Sequence, residues 1–190
     1  KGKTVVISGS GNVAIYATEK AQEMGAKVVA LSDSNGYIYD PNGIKLDVVK
    51  QIKEVERGRI KEYVNRVDGA TYTEGCKGIW TIKCDVALPC ATQNEIDGES
   101  ADILLKNGVQ VVAEGANMPS TPEAIDKFLA AGILFGPAKA AMLIVISQLA
   151  VAYVIELFGL FGVDKEPFEW RKILGLLIAI SGIVIFKWQK

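Results

Sequence analysis

The sequence predicts an α/β fold with a doubly wound, mostly parallel sheet, followed by a C-terminal apolar hairpin of two membrane-type helices. Apolar β-branched runs alternate with helical patterns over residues 1–139, and a glycine-rich turn joins the first run to the first helical pattern. Two long uncharged runs follow from residue 140 onwards. Strand and helix alternation of this kind is typical of parallel sheets with helices on both faces. We therefore expect two domains, residues 1–139 and 140–190.

Composition excludes several classes of function. The 190 residues contain 21 Lys and Arg against 22 Asp and Glu, a formal net charge of −1, and no histidine. A balanced charge gives no basic field for nucleic acid, so we predict no nucleic-acid partner. The lack of histidine excludes His-based catalytic triads and His-ligated zinc or haem. The spacing of Cys76, Cys84 and Cys90 matches neither a zinc site nor a redox pair, which predicts reduced thiols and no metal site.

The start of the chain predicts a β-α-β unit. Thr4–Ser8 is rich in β-branched residues, Asn12–Met24 repeats alanine with helical spacing, and Lys27–Leu31 is a second apolar run. Further elements are predicted from composition and turn residues. They are a turn within Tyr37–Gly43, helical Leu46–Val55 with a polar helical stretch to Tyr63, strands Asp85–Leu88 and Val109–Ala113, and helix Pro122–Ala131.

The glycine-rich turn lies directly between the first strand and the first helix. Its residues are Gly9, Ser10, Gly11, Asn12, Val13 and Ala14. The first glycine permits a tight turn, the second leaves room for a pyrophosphate, and Ala14 lets the helix pack closely on the strand. The amides at the positive end of the helix then face the phosphates. We predict a Rossmann-type sheet that binds a dinucleotide here; a purely structural turn or another small-ligand site is the alternative.

Cofactor choice depends on the end of the second strand, which reads Ser32, Asp33 and Ser34. Asp33 can accept hydrogen bonds from an adenosine ribose, which favours NAD, whereas the two serine hydroxyls can bind a 2′-phosphate, which favours NADP. A third interpretation makes both serines part of a turn. A phosphate close to Asp33 needs a nearby cation. The sequence offers Lys53, Arg57 and Lys61 for this.

Two further polar segments follow apolar strands directly. They contain Ala91, Thr92 and Gln93, and Gly115 and Asn117. Because open α/β sheets bind ligands at the carboxyl ends of their parallel strands, we expect these loops and the glycine turn to form one crevice. Cys90 borders the first loop and is expected to be a small buried hydrophobe; a reactive thiol is the alternative.

Five stretches carry a resemblance to a known family. They are Gly-Ser-Gly-Asn-Val-Ala at 9–14, Ser-Asp-Ser-Asn-Gly at 32–36, Cys-Asp-Val-Ala-Leu-Pro-Cys-Ala-Thr-Gln-Asn-Glu at 84–95, Ala-Glu-Gly-Ala-Asn-Met-Pro at 113–119 and Phe-Gly-Pro-Ala-Lys-Ala at 135–140. Through them, residues 1 to about 140 resemble the C-terminal NAD(P)-binding domain of hexameric bacterial glutamate dehydrogenases. The resemblance implies an oxidoreductase that interconverts L-glutamate with 2-oxoglutarate and ammonia.

The resemblance also implies roles for single residues. Ala91, Thr92 and Gln93 would line the nicotinamide ribose pocket, and Asn117 would hold the carboxamide. The Ser-Asp-Ser form is similar to NADP-using members, so we predict NADP, with NAD as the alternative. The family's substrate domain, which supplies the catalytic lysine and aspartate, has no counterpart here. We therefore assign no catalytic residue and expect a catalytically incomplete fragment, which meets L-glutamate or 2-oxoglutarate only together with that domain. The family is homohexameric, and the fragment's own assembly stays open.

From residue 140 the character of the chain changes. Ala140–Ile155 contains no charged residue, the apolar run continues to Val163 with Glu156 as its single charge, and Ile173–Phe186 is a second uncharged run. Such lengths predict two membrane-spanning helices. This part resembles the last two transmembrane helices of a small inner-membrane family of the drug/metabolite transporter superfamily. The similar residues are Ser147-Gln148-Leu149, Phe158–Gly162, Pro167, Trp170-Arg171 and Gly175.

The favoured interpretation is a chimera, in which a glutamate dehydrogenase coenzyme domain is fused to a membrane hairpin. One alternative is a transporter-superfamily membrane protein with an unrelated N-terminal extension, and another is a soluble chain that buries both apolar runs. Lys1–Lys3 leads into a strand pattern without a signal peptide's apolar region. We therefore expect residues 1–139 in the cytoplasm, with inner-membrane association through 140–190. Glu156 is either a functional intramembrane group or an interfacial one.

Overall fold

The structure, a computed structural model, describes residues 1–136 and six further residues in helical conformation, Val151, Ile155, Trp170, Arg171, Gly175 and Ser181. The chain divides into two compact units, Lys1–Gly136 and Pro137–Lys190, and only the first is described along its whole length. Apart from those six residues, the predicted apolar hairpin lies outside the described part. Within the described residues, no helix combines the length and the apolar character that a membrane span requires.

Strands and helices alternate over residues 1–136, as predicted. The strands are β1 (Thr4–Ile7), β2 (Lys27–Ser32), β3 (Gly36–Tyr39), β4 (Thr71–Glu74), β5 (Val86–Leu88), β6 (Val111–Ala113) and β7 (Leu134–Gly136). The α-helices are α1 (Asn12–Glu23), α2 (Leu46–Lys50), α3 (Gly98–Lys106) and α4 (Pro122–Ala130). A π-helical turn, Gln51–Val55, continues α2, and 3-10 turns cover Ile60–Asn65 and Cys76–Thr81.

The strands form one seven-stranded sheet within residues 1–136, in the order β4-β3-β2-β1-β5-β6-β7. β1 pairs in parallel with β2 on one side and with β5 on the other, and β6 and β7 extend the parallel ladder. β3 runs antiparallel to both β2 and β4. The predicted doubly wound, mostly parallel α/β fold is confirmed, and the β2–β3 hairpin adds an antiparallel edge to it.

The two faces of the sheet have separate cores, because alternate side chains of a strand point to opposite sides. Val5 and Ile7 of β1 belong to one buried cluster with Ile15 of α1. Val6 belongs to a second cluster with Phe128 of α4. All five side chains are at most 3% exposed, and each large apolar side chain buried in this way contributes about 1.5–3 kcal/mol. Helices therefore cover both faces and leave the carboxyl edge of the strands accessible.

Some elements differ from the sequence-based predictions. β3, β4, α3 and β7 have no predicted counterpart, and β3 occupies residues next to the turn predicted within Tyr37–Gly43. The prediction of a helical stretch from Leu46 to Tyr63 is wrong for the residues in its middle. Arg57 adopts a positive φ of 54°, and a separate 3-10 turn begins at Ile60. A left-handed residue of this kind ends a helix. The interruption at residues 56–59 places a short irregular segment next to the end of β2.

Candidate functional site

A crevice of about 790 Å³ opens where β2, β1 and β5 lie side by side. The strand order turns back at β1, and open α/β sheets bind ligands at such a switch point, outside the carboxyl ends of the strands. The structure brings ten of the predicted cofactor-binding residues together in this crevice. They are Gly9, Ser10, Gly11, Asn12, Val13, Ser32, Asp33, Ser34, Ala91 and Thr92.

The glycine turn joins β1 to α1 in the middle of the crevice. Gly9 has a φ of +88°, and a Cβ at this position would lie 3.1 Å from the carbonyl oxygen of Cys90. Protein atoms therefore fill the space beside Gly9, and glycine is required there for conformation and for room. A Cβ at Gly11 would meet no atom within 4 Å. The space beside Gly11 is open to a ligand.

The start of α1 differs from the starts of α3 and α4. Gly11 precedes α1 without a side-chain cap hydrogen bond, as Lys45 precedes α2, but the first turn of α1 contains no acidic residue, whereas that of α2 contains Asp47. By contrast, Asp97 caps α3 by accepting from the Ser100 amide, and Thr121 caps α4 by accepting from the Ala124 amide. Uncapped amides at the positive end of a helix dipole form a binding site for an anion. In α1 that site faces the crevice.

Two serines tie the glycine turn to the neighbouring strands. Ser32, at the end of β2, is 2% exposed, and its Oγ accepts a hydrogen bond from the Gly9 amide at 2.9 Å. Ser8, at the end of β1, accepts through Oγ from the Cys90 amide at 2.9 Å. The Ser32 hydroxyl therefore accepts a hydrogen bond from a backbone amide, whereas the expectation from the sequence is that it binds a 2′-phosphate. The turn is fixed from both sides.

The Asp33 carboxylate organises the segment after β2. Its Oδ1 accepts hydrogen bonds from the amides of Asn35 at 2.9 Å and Gly36 at 3.3 Å. Its Oδ2 accepts from the amide of Ile60 at 3.2 Å, across 27 residues of sequence. This long-range bond holds the residues around Ile60 against the end of β2. As a result, Arg59 lies in the crevice wall.

A cation and a hydroxyl stand together at this end of the crevice. Arg59 donates a hydrogen bond from one guanidinium nitrogen to Ser34 Oγ at 3.0 Å, and both side chains line the crevice. A guanidinium group presents several N–H donors in a planar fork and binds phosphate oxygens well. The pair therefore suits a phosphate group located beside the end of β2.

The cations considered from the sequence lie elsewhere and do not line this crevice. They are Lys53, Arg57 and Lys61. Lys53 Nζ donates to the Gly58 carbonyl at 3.0 Å, and Lys61 Nζ lies 5.2 Å from the centre of the Tyr72 ring. The cation that lines the crevice is Arg59, which the hydrogen bond from the neighbouring Ile60 amide to Asp33 places there. The local sequence gives no signal of that placement.

A family model described as Glutamate/Leucine/Phenylalanine/Valine dehydrogenase matches residues 1–143, which include the whole crevice. The chain belongs to this dehydrogenase family. The NADP-specific glutamate dehydrogenase of Haemophilus influenzae is 57% identical over 143 residues, which make up 74% of this chain and 31% of that enzyme. The glutamate dehydrogenase of Bacteroides thetaiotaomicron is 56% identical over 144 residues, 74% of this chain and 32% of the relative.

Solved structures agree with these similarities. The crystal structure of Plasmodium falciparum glutamate dehydrogenase matches with a TM-score of 0.69 and 48% identity, over 73% of this chain and 30% of that one. The resemblance to glutamate dehydrogenases predicted from the motifs is thereby confirmed. The chain spans about a third of the length of the curated relatives that it matches.

A second family model, described as inner membrane exporter, YdcZ, matches residues 129–185 of this dehydrogenase-family chain. It overlaps the dehydrogenase match over residues 129–143, the region of the expected boundary after residue 139. The two matches confirm that the chain joins sequences similar to two different families. Most of the second match falls outside the described residues.

Four predicted site residues of the dehydrogenase part do not line the crevice. Ala14 is fully buried under the glycine turn. Gly115 lies against Cys90, since a Cβ at Gly115 would be 2.6 Å from Cys90 Sγ. Gln93 and Asn117 are exposed on the loops after β5 and β6. The structure thus gives Ala14 and Gly115 packing roles and leaves Gln93 and Asn117 outside the crevice lining.

The two buried thiols are protonated at neutral pH. Burial raises the pKa of Cys84 and that of Cys90 to about 12, so neither forms a reactive thiolate. Cys90 therefore behaves as the small buried hydrophobe expected from the sequence. Cys76 is exposed and lines the crevice. In the described part of the chain, no group of three His, Cys, Asp or Glu residues is arranged to hold a metal ion.

Some residues that line the crevice were not predicted from the sequence. Lys77 and Trp80 come from the 3-10 turn before β5, where no periodic pattern marks them. Lys77 Nζ pairs with Asp97 Oδ2 at 2.9 Å, and Trp80 is 1% exposed. Glu95 could have been found, because it ends a polar loop directly after a buried strand. Together with the α1 amides, Arg59 equips the crevice to bind an anionic ligand, whereas the Lys77 ammonium already pairs with Asp97.

Proposed function

We propose that residues 1–139 are the coenzyme-binding domain of a glutamate dehydrogenase and that the crevice binds a nicotinamide dinucleotide, with NADP(H) preferred to NAD(H). The observation that carries the proposal is the uncapped start of α1 at a glycine turn inside the crevice. A diphosphate supplies the acceptors that these amides lack, and the open space beside Gly11 admits it. The dinucleotide then extends from the end of β2 to the end of β5.

The proposed site has three parts. Residues 9–13 bind the diphosphate, Ser32 to Ser34 lie beside the adenosine ribose, and Ala91 and Thr92 lie beside the nicotinamide half. The resemblance adds Gln93 and Asn117 to the nicotinamide half, Gly115 belongs to the same loop as Asn117, and Ala14 supports the turn from below. No catalytic residue is assigned to the chain.

Preference for NADP(H) rests on the end of β2. Arg59 and Ser34 present a guanidinium group and a hydroxyl to the crevice, which suit a 2′-phosphate. The Asp33 carboxylate already accepts three backbone hydrogen bonds, so less of its capacity is left for a ribose diol. The relative from Haemophilus influenzae, which is named NADP-specific, supports the same choice.

The proposed reaction of the complete enzyme is the interconversion of L-glutamate with 2-oxoglutarate and ammonia. A bound nicotinamide supplies hydride donation or acceptance, and the residues described here bind and orient it. Hydride transfer requires a substrate carbon at near-attack distance, and the substrate domain of the family provides that positioning. We therefore propose that this chain alone does not turn over glutamate. A homohexamer in the cytoplasm is the corresponding proposal for the complete enzyme.

The match to the exporter model favours a second candidate function for residues 140–190, attachment to the inner membrane. Carbonate extraction of membranes from cells that express the full chain is expected to leave the chain in the membrane fraction. Recovery of the whole chain in the soluble fraction would exclude this candidate. The dinucleotide proposal does not depend on the result.

Calorimetric titration of the purified 190-residue chain with NADPH tests the main proposal, with saturable binding as the expected result. Gly11→Ala is expected to weaken binding at least about tenfold, because its Cβ meets no protein atom and occupies the space of the diphosphate. The fold should tolerate the change, since Gly11 has a φ of −85°. Lys106→Ala, at an exposed residue of α3 outside the crevice, is the control. A wild-type chain that binds neither NADPH nor NADH would refute the proposal.

A further inference from the structure

Glu95 lies in the crevice wall on the β5 side, while Ser34 and Arg59 lie on the β2 side. β1 separates these two sides, because the strands are ordered β2-β1-β5. Glu95 is partly buried and acidic, in a crevice whose other features suit an anionic ligand. An acidic side chain in this place requires an explanation other than direct binding of phosphate.

The Glu95 carboxylate binds two backbone amides of the loop after β5. Its Oε1 accepts hydrogen bonds from the amides of Ala91 at 3.0 Å and Thr92 at 3.3 Å. Ser8, which directly precedes the glycine turn, accepts through Oγ from the Cys90 amide at 2.9 Å. Ser8 and Glu95 therefore bind three consecutive amides at the end of β5, those of Cys90, Ala91 and Thr92.

The backbone around Glu95 is held on both sides. The Asn94 amide donates to the Met118 carbonyl at 3.0 Å, and the Ile96 amide donates to the Pro119 carbonyl at 2.9 Å. Asn94 and Met118 both have positive φ values, 55° and 47°, a conformation that persists in non-glycine residues when the surroundings impose it. Glu95 therefore projects from a fixed frame formed by the loops after β5 and β6.

Removal of this carboxylate would leave two amides of the crevice wall without their acceptor. Burial raises the pKa of the Glu95 carboxyl group, and the donors Ser8, Ala91 and Thr92 oppose that rise. Ala91 and Thr92 donate to the carboxylate from the crevice wall, so the loop conformation and the carboxylate depend on each other. Within the described residues, none of the hydrogen bonds that Glu95 makes involves the β2 side of the crevice.

We infer that Glu95 is a positioning residue for the nicotinamide half of the dinucleotide, an inference that rests on the proposed function. It acts by fixing the Ala91–Thr92 backbone, directly after the Cys90 amide that Ser8 binds at the start of the glycine turn. The position of the nicotinamide ribose site relative to the diphosphate site depends on this backbone. The adenosine half, beside Ser34 and Arg59, does not depend on Glu95.

Two ligands separate this role from a general effect on folding. NADPH reports on the whole crevice, and adenosine 2′,5′-bisphosphate, which carries the 2′-phosphate and one phosphate of the diphosphate, reports on the crevice without its nicotinamide half. With the full-length chain, Glu95→Ala is expected to weaken NADPH binding about tenfold, as expected for the loss of one charge-assisted hydrogen-bonding group. Binding of adenosine 2′,5′-bisphosphate is expected to stay unchanged. Glu95→Gln retains an oxygen acceptor for both amides and is expected to restore most of the NADPH affinity.

Glu99→Ala is the matched control, because Glu99 is exposed in the first turn of α3 and does not line the crevice. Equal weakening of both ligands by Glu95→Ala would indicate a general structural role and overturn the inference. Unchanged NADPH binding in Glu95→Ala, or a Glu95→Gln variant as weak as Glu95→Ala, would overturn it too. Failure of the wild-type chain to bind either ligand would instead refute the proposed function, and the inference with it.

Discussion

Arg59 donates a hydrogen bond to Ser34 Oγ at 3.0 Å, although 25 residues of sequence separate the two. The contact exists because Asp33, next to Ser34, accepts a hydrogen bond from the amide of Ile60, next to Arg59. One carboxylate thus brings a cation to the end of β2. Under the proposed function, the choice between the two nicotinamide cofactors depends on this irregular segment before the 3-10 turn.

Replacement of Arg59 by alanine tests that dependence. Arg59→Ala is expected to weaken NADPH binding about 10- to 100-fold, because a hydrogen bond between charged groups contributes about 1.5–3 kcal/mol. NADH, which has no 2′-phosphate, is expected to bind with unchanged affinity. Calorimetric titration with both cofactors measures the effect, and Lys61→Ala, at a cation placed over the Tyr72 ring, is the control. Equal losses for both cofactors would show that Arg59 does not act on the 2′-phosphate.

Close packing of Gly115 against Cys90 predicts an energetic coupling. Gly115→Ala is expected to lower the free energy of unfolding by about 1–3 kcal/mol, because its Cβ would lie 2.6 Å from Cys90 Sγ. Cys90→Ala removes that sulfur, so the double variant is expected to be more stable than Gly115→Ala alone. Urea unfolding of the four proteins gives the coupling energy. Strictly additive losses would contradict the proposed contact.

A buried hydrogen-bond network centred on Tyr63 predicts a large effect on stability. The Tyr63 hydroxyl donates to Asp40 Oδ2 at 2.9 Å and accepts from the Lys45 amide at 2.8 Å. Burial raises the pKa of Tyr63, so the neutral hydroxyl is the donor. Tyr63→Phe is expected to cost about 2–3 kcal/mol in chemical unfolding, because it leaves the buried Asp40 Oδ2 without its donor and the Lys45 amide without its acceptor. The exposed Tyr16→Phe should stay within about 0.5 kcal/mol of wild type; a similar change in both variants would contradict the prediction.

The α3 cap predicts a pH dependence. The Lys77 ammonium and the Ser100 amide hold the pKa of Asp97 well below its usual range. A folded-state pKa below the unfolded-state value stabilises the protein above the unfolded-state pKa, and this contribution is lost as the pH falls through the folded-state pKa. Asp97→Asn keeps a capping side chain but loses the charge. It should be less stable than wild type at neutral pH, with the gap narrowing below about pH 4.

Unfolding curves at neutral and acidic pH measure that gap. Glu99→Gln, in the same helical turn, is the control and should show a smaller difference from wild type at neutral pH. A gap that stays constant or widens toward acid pH would contradict the assignment of the lowered pKa to Asp97.

Elements with a local signal could be predicted from the sequence. β1, the glycine turn and α1 are adjacent, and each has its own signal in apolar residues or glycine. β4 has no such signal, because its sequence Thr-Tyr-Thr-Glu has no apolar face and it forms at the sheet edge by pairing with β3. Likewise, nothing in residues 46–63 marks the left-handed conformation of Arg57 that separates two helical segments. Tertiary pairing decides such elements.

In the candidate site, too, some features could be predicted from the sequence and others could not. Residues at strand ends, such as Gly11 and Thr92, could be placed in the crevice because parallel strands end at one edge. The partners of polar groups could not be predicted. Ser32 and Asp33 have the right chemistry for a ribose or a phosphate, yet the Gly9 and Ile60 amides are among their partners in the folded chain. Residue type determines which hydrogen bonds a group can make, and the fold determines which ones it makes.

Trp80 gives the crevice an optical property. It is the one tryptophan in residues 1–136, it is 1% exposed, and it lines the crevice. The emission of a buried indole overlaps the absorption band of a reduced nicotinamide, so a reduced dinucleotide in the crevice would quench Trp80 by energy transfer, whereas the oxidised form lacks that band. With Trp170 and Trp188 replaced by phenylalanine, the tryptophan fluorescence of this chain would report the redox state of a bound nicotinamide dinucleotide.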